Sequence, residues 1–314
     1  MLDYIGEIWN NTDAEDTNIY FPCIIRTCHT NALGKYYMYY SYDHLTSGEN
    51  VGIKMAYSDD LVNWTKYGNV LKCNNQIQGS NVQDAETPCV YWDEANERYL
   101  MMWHSAYKAN NAWWSQTTHI SESSDGVTWT YVKRLCTLDK ERYSGLSNHD
   151  GYAHVQKING IYTVCLLWNG GDAARCNAGY SFDGVNWIFN SCQRAEAQRY
   201  VDGSAVMPVG YSPVYDIDGK LYKVGSSGKE TSGTGISVIH NVSIGEVAGD
   251  LLTYIGKARI IYKQSGKQGE YNVIRATSRF TDLDGKNYVI VNYRNGSNST
   301  DTTSFVLYKI SYKK

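Results

Sequence analysis

The chain has 314 residues, with 29 basic and 32 acidic side chains and a formal net charge of −3. That balance argues against a nucleic-acid binder held by phosphate contacts, and no apolar run approaches the roughly 18–20 residues that span a bilayer. The length suits one large all-β domain or two smaller ones.

The first residues, Met1-Leu2-Asp3-Tyr4-Ile5-Gly6-Glu7, lack the basic and apolar regions of a signal peptide. The expectation is a chain kept in a reducing cytoplasm, or a part of a larger secreted or virion protein. A first group of strand-like runs follows: Phe21-Pro22-Cys23-Ile24-Ile25, then Gly34 to Ser41, then Val51 to Tyr57. It ends on the phrase Ser58-Asp59-Asp60-Leu61-Val62-Asn63-Trp64, an acidic turn whose tryptophan opens a fourth strand.

The plan then repeats. Thr87 to Trp92, Glu97 to Trp103 and Thr117 to Ser121 lead into Ser123-Ser124-Asp125-Gly126-Val127-Thr128-Trp129. Tyr152 to Gln156, Gly160 to Cys165 and Asn177 to Tyr180 lead into Ser181-Phe182-Asp183-Gly184-Val185-Asn186-Trp187. A fourth group runs from Ser212 to Ile239, with the phrase reduced to Asn241-Val242-Ser243-Ile244-Gly245. A fifth runs from Tyr271 to Ile310 and shows no outer strand of its own.

One four-stranded sheet cannot bury both its faces alone, so a repeat of this kind predicts an all-β, five-bladed β-propeller forming a single domain. The expected blades are 18–72, 84–137, 150–193, 209–263 and 271–314, with residues 1–12 closing the ring through Tyr4 to Trp9. No helix longer than a turn is signalled.

Eight cysteines occur without a C-x-x-C pair, several of them inside apolar runs, and read as free buried thiols. No spacing favours zinc. The chain carries 28 tyrosines and nine tryptophans against five phenylalanines. Aromatics with a polar end suit half-wet clefts such as sugar sites, while tyrosine also simply suits strands.

The pattern Gly-Lys-Tyr-Tyr-x-x-Tyr-Ser, followed by Ala-x-Ser-Asp-Asp-Leu-x-Asn-Trp, resembles the blades of the five-bladed glycoside hydrolases of families 43, 32, 62 and 68. The resemblance covers essentially the whole chain at the level of blade architecture. It implies a general acid in a Glu-x-Pro motif, matched here by Glu86-Thr87-Pro88, although on the second blade where those families use the third. It also implies an Asp before a Pro on the first inner strand, where this chain has Phe21-Pro22. No cofactor is required by this chemistry, and the resemblance leaves room for a structural calcium ion at the channel centre.

Glycoside hydrolysis needs two carboxylates flanking the scissile bond. Strand starts facing a central channel offer Glu86 as general acid and Asp150 as base or nucleophile, with Asp84 and Asp16 as further candidates. Asp150 sits in Asn148-His149-Asp150-Gly151-Tyr152-Ala153-His154, the densest polar cluster of the chain, so His149, Tyr152 and His154 are candidate substrate contacts. A turn at Asp-Gly and a hydrogen-bonded channel histidine are the plain alternatives. Trp113 and Trp114 are the sugar-stacking candidates, Tyr211 lies in the loop before the fourth blade, and Arg275 on the fifth inner strand could hold an acid.

Three functions fit these residues. A glycosidase acting on a poly- or oligosaccharide is one. A non-catalytic glycan-binding or tail-spike receptor-binding propeller is another. A polysaccharide lyase using His149, Tyr152, His154 and Arg275 is the third. All three take carbohydrate as partner, without nucleic acid or membrane.

Overall fold

A computed structural model describes residues 1–10, 19–42, 52–72, 81–82, 85–109, 112–135, 150–168, 176–189, 208, 212–231, 237–263, 273–294 and 303–311. They form five antiparallel sheets arranged as the blades of a ring. Strand β1 (Leu2–Asn10) comes first in the chain and last in the ring. Blade one holds β2 (Tyr20–Arg26), β3 (Tyr36–Tyr42), β4 (Gly52–Ser58) and β5 (Thr65–Lys72). Blade two holds the short β6 (Asn81–Val82), then β7 (Glu86–Asp93), β8 (Arg98–Ala109), β9 (Ala112–Ser123) and β10 (Thr130–Arg134).

Blade three is β11 (Asp150–Ile158), β12 (Ile161–Trp168), β13 (Cys176–Ser181) and β14 (Ile188–Phe189). Blade four is β15 (Val214–Ile217), β16 (Lys220–Thr231), β17 (Ser237–Val247) and β18 (Arg259–Lys263). Blade five has β19 (Val273–Thr281), β20 (Asn287–Arg294) and β21 (Thr303–Ile310), and takes β1 as its fourth strand. Strand β1 pairs antiparallel with β21 from Leu2↔Ile310 to Asn10↔Ser304, so a terminal strand closes the ring.

The apolar core is divided among the blade interfaces. Tyr37, Tyr39, Ile53 and Met55 of blade one pack on Val90, Tyr99, Met101 and Trp103 of blade two. Tyr36, Met38 and Tyr40, on the opposite face of the same strand, pack on Ile290, Phe305 and Leu307 of blade five. Both faces of β3 are therefore buried, which is why its sequence is a tyrosine-rich run, broken only by Met38 and Ser41, rather than an apolar–polar alternation. Matching clusters join blade two to three, three to four and four to five.

The repeated phrase is a turn that also links blades. In its third copy Ser181 Oγ accepts the amides of Asp183 and Gly184, at 3.3 and 2.9 Å. Asp183 Oδ1 accepts those of Val185 and Asn186, at 2.9 and 2.7 Å. Burial alone would raise the Asp183 carboxyl, but these backbone donors hold it well below the usual carboxylate range. The Gly184 carbonyl accepts from Tyr91 Oη of blade two at 2.6 Å, and the Gly126 carbonyl from Tyr39 Oη of blade one at 2.8 Å. The turns of blades two and three are thus anchored on the preceding blade.

Blade four corrects one expectation. Asn241 to Gly245 lies inside strand β17 and is no turn. The fourth copy is Ala248-Gly249-Asp250-Leu251-Leu252-Thr253-Tyr254, where Asp250 Oδ1 accepts the amides of Leu252 and Thr253 at 3.0 and 2.9 Å. Leu251 has φ 62°, matching Leu61 at 68° and Gly184 at 73°. The copy escapes a text search because alanine and tyrosine replace its serine and tryptophan; the Asp-centred turn survives.

Candidate functional site

The innermost strands β2, β7, β11, β15 and β19 surround the central channel. Three of them open with the same distortion. Register slips between Tyr20 and Cys23, between Glu86 and Cys89, and between Gly151 and His154. Within each slip one non-glycine residue takes a positive φ: Phe21 at 49°, Thr87 at 51° and Tyr152 at 55°. Such residues cost about 1–3 kcal/mol each and persist where the surroundings over-determine them. Bulges also re-aim neighbouring side chains, and they give Pro22 and Pro88 places where no ladder N–H is needed.

Aligned on these bulges, Tyr20-Phe21-Pro22, Glu86-Thr87-Pro88 and Gly151-Tyr152-Ala153 are equivalent. Glu86 therefore corresponds to Tyr20 and Gly151, and Asp150 to Ala85 and Ile19, one residue earlier.

The bulged end of the ring is also its polar end. Strand β8 runs Tyr99 to Trp103 as buried apolar residues, then continues with buried His104 and Ser105. Strand β3 turns from tyrosines to Ser41, β16 from Val224 to Ser226 and Ser227, and β20 from Val291 to Asn292 and Arg294, all buried. Register places these changes beside the inner-strand starts, through Tyr20↔Ser41, Glu86↔His104 and Ile274↔Tyr293.

Glu86 and Asp150 are both buried, at 2% and 0% exposure. His104 stands between their strands. Its Nε2 lies 3.6 Å from Glu86 Oε2, and its Nδ1 makes a short contact with Thr87 Oγ1. The ring of Tyr152 tilts against the imidazole at 5.0 Å between centroids. A Cβ on Gly151 would come within 2.7 Å of the imidazole, so the histidine seats directly on the backbone after Asp150. Ser41 Oγ of blade one accepts the Thr87 amide at 2.7 Å, holding the bulge. Tyr20 and Phe21 complete an aromatic wall with Tyr152, at 6.3 and 4.7 Å between centroids.

His154 lies further along the channel, stacked at 6.0 Å with Phe21. Burial, together with the positive charges of Lys223 and Arg279, pushes its pKa down to about 3. It is a neutral imidazole under ordinary conditions and brings no positive charge to Asp150.

Of the residues singled out from sequence, Glu86 and Tyr152 meet at His104, Asp150 is buried one residue before the Gly151 on which that imidazole rests, and His154 sits apart in the same channel. Trp113 and Trp114 pair through their backbones with Lys108 and Tyr107 at the end of the β8–β9 hairpin. Arg275 falls at the β19 irregularity between Ile274 and Ala276. The side chains of these three lie outside the described residues, as do Asp16, Asp84, His149 and Tyr211 altogether. Sequence reasoning missed His104, Thr87, Gly151 and Ser41. The available signal was the run Leu100-Met101-Met102-Trp103 turning abruptly to His104-Ser105 opposite Glu86.

No protein-family model matches the chain, and none of the curated proteins is similar to it in sequence. Solved structures are similar in fold. A structure from the GH130 family of mannoside phosphorylases, which contains glycoside hydrolases that target β-1,2-mannosidic linkages in Candida mannan, superposes with a TM-score of 0.63. It is 14% identical, over 93% of this chain and 84% of that one. A thermostable family-43 glycoside hydrolase gives 0.58 at 16% identity, over 97% and 93%. Zg3597, a family-117 glycoside hydrolase produced by Zobellia galactanivorans, gives 0.61 at 11% identity, over 98% and 90%. The chain is a divergent five-bladed β-propeller with the fold that these glycoside hydrolases share.

Proposed function

We propose that the chain is a glycoside hydrolase whose carboxylate pair is Glu86, as general acid, and Asp150, as base or nucleophile. The observation that carries this reading is the burial of both carboxyl groups at neighbouring inner-strand starts, one against His104 and the other next to the glycine on which His104 rests. Glycosidases need two carboxylates about 5–5.5 Å apart for retention or 6.5–9.5 Å for inversion. Thr87 and Gly151 fix His104 from two sides, and His104 in turn orients Glu86. The Tyr20, Phe21 and Tyr152 wall suits the apolar face of a sugar ring. Poly- or oligosaccharide is the substrate class, in keeping with the fold shared with glycan-active enzymes.

Glu86→Gln and Asp150→Asn are each expected to abolish release of reducing ends from a panel of glycans. The unfolding temperature should move by less than about 3 °C, the equivalent of roughly 1 kcal/mol. Hydrolysis persisting in both variants would overturn the assignment.

One observation favours a second reading, a glycan-binding propeller without catalysis. Blade one places Tyr20, rather than a carboxylate, at the position equivalent to Glu86. In that case no glycan yields reducing ends on long incubation, and Trp113→Ala weakens oligosaccharide binding.

A further inference from the structure

Beyond the carboxylates the channel widens into a cavity of about 240 Å3. Its walls come from the later parts of the inner strands, including Cys23, Arg26, Cys89, His154, Ser278 and Arg279, and neither Glu86 nor Asp150 lines it. The fold family admits a calcium ion in this channel, and calcium requires six to eight oxygen ligands, carboxylates prominent among them. The lining contains two arginines and no carboxylate. Among the described residues no group of three metal-ligating side chains forms. These residues do not fit a cation.

They fit the opposite charge. Arg279 donates from Nε to Thr281 Oγ1 at 3.1 Å, and its guanidinium carbon lies 5.5 Å from the centroid of the Tyr215 ring. Arg26, nearer the far opening, donates to Tyr36 Oη at 2.9 Å and to Asp282 Oδ1 at 3.3 Å. His154 is more than nine-tenths buried, and its Nε2 has no hydrogen-bond partner among the described residues. Buried polar atoms are nearly always satisfied, so an imidazole nitrogen left open on a cavity wall points to an occupant.

We propose that this cavity binds a small oxyanion of the phosphate or sulfate class, held by Arg26, Arg279 and His154 with the hydroxyl of Ser278. Guanidinium groups match such oxygens in geometry as well as charge. The His154 ring, being neutral, keeps one N–H, and the Nε2–H tautomer donates it to the anion. The site is separate from the carboxylate cluster and stands or falls independently of the glycosidase reading.

Isothermal titration of the full chain with inorganic phosphate, sulfate and glucuronate, at an ionic strength held constant with sodium chloride, tests this. Phosphate or sulfate should give saturable heat. Arg279→Met and His154→Phe should each weaken the Kd at least tenfold, and Glu86→Gln should leave it unchanged. Absence of saturable heat from both inorganic ions overturns the proposal, as does affinity unaltered by Arg279→Met and His154→Phe. Binding of glucuronate alone also overturns it, in favour of an acidic sugar. Should Arg279→Met fail to fold, the imidazole NMR signals of His154 in the unaltered chain decide. They move on phosphate addition if the site is real and stay fixed if it is not.

Discussion

His104 and His154 show how two buried imidazoles in one channel acquire different roles from their neighbours. His104 is held by a hydroxyl, a carboxylate and a glycine, which makes it part of the candidate site. His154 faces Lys223 and Arg279 and stays neutral. The consequence for stability has a definite sign. The folded pKa of about 3 lies below the ordinary value of 6.5, so between these limits the unfolded chain binds the extra proton and stability falls as pH drops. His29, lowered by burial, acts in the same direction. Urea unfolding at pH 7.5, 6.0 and 5.0 should therefore show a declining free energy, at up to about 1.4 kcal/mol per pH unit for His154 once below its unfolded pKa. His154→Phe should flatten that slope above the carboxylate range; an unchanged slope would show that another group carries it. Gly151→Ala belongs to the same scale. Its methyl group would meet the His104 ring, and a loss of about 1–3 kcal/mol is expected, measured by the same unfolding curves.

The Asp-centred turn is the element on which the ring depends. It joins the third and fourth strands of its own blade, and in blades two and three it delivers a carbonyl to a tyrosine of the blade before it. Gly126 fills a space in which a Cβ would lie 2.8 Å from Tyr39 Oη and 3.0 Å from the Tyr37 ring, at φ +73°. Gly160 has a similar φ, +82°, with nothing within 4 Å. Gly126→Ala should cost about 2–4 kcal/mol through strain plus overpacking, and Gly160→Ala only about 1–2 kcal/mol through strain. The difference between the two unfolding free energies measures the inter-blade contact, and equal losses would deny it. This element was legible in three blades because serine, aspartate and tryptophan recur at fixed spacing. In the fourth it was not, since the hydrogen bonds need only the aspartate and the amides that follow it, and those leave little trace in a one-dimensional pattern.

At the scale of the molecule, closure rests on β1. Its residues are mostly half-exposed or exposed, with Ile8 buried, whereas β21 beneath it is buried along nearly its whole length. A chain lacking residues 1–10 would uncover a long apolar edge, the arrangement most prone to pairing with another chain. Size-exclusion chromatography should then show loss of monomer, and the urea transition should shift to lower concentration and broaden. A sharp, unshifted transition would mean that blade five holds without its fourth strand.

The five-bladed all-β plan and its closure by the N-terminal strand could be read from residues alone, because strand length, turn chemistry and repeat spacing are local properties. So could the placing of Glu86 and Asp150 at inner-strand starts. What tertiary structure decided is how these two positions stand relative to their neighbours. The one-residue offset between Glu86 and Asp150 appears only when the bulges at Phe21, Thr87 and Tyr152 are aligned. The insertion of His104 from β8 between β7 and β11 depends on cross-strand register and on the missing side chain of Gly151. The charge of the deeper channel follows from Arg26 and Arg279, far apart in the chain and brought together by ring closure. Distances across a ring are set by how its wedges of core pack, and no stretch of sequence encodes them separately.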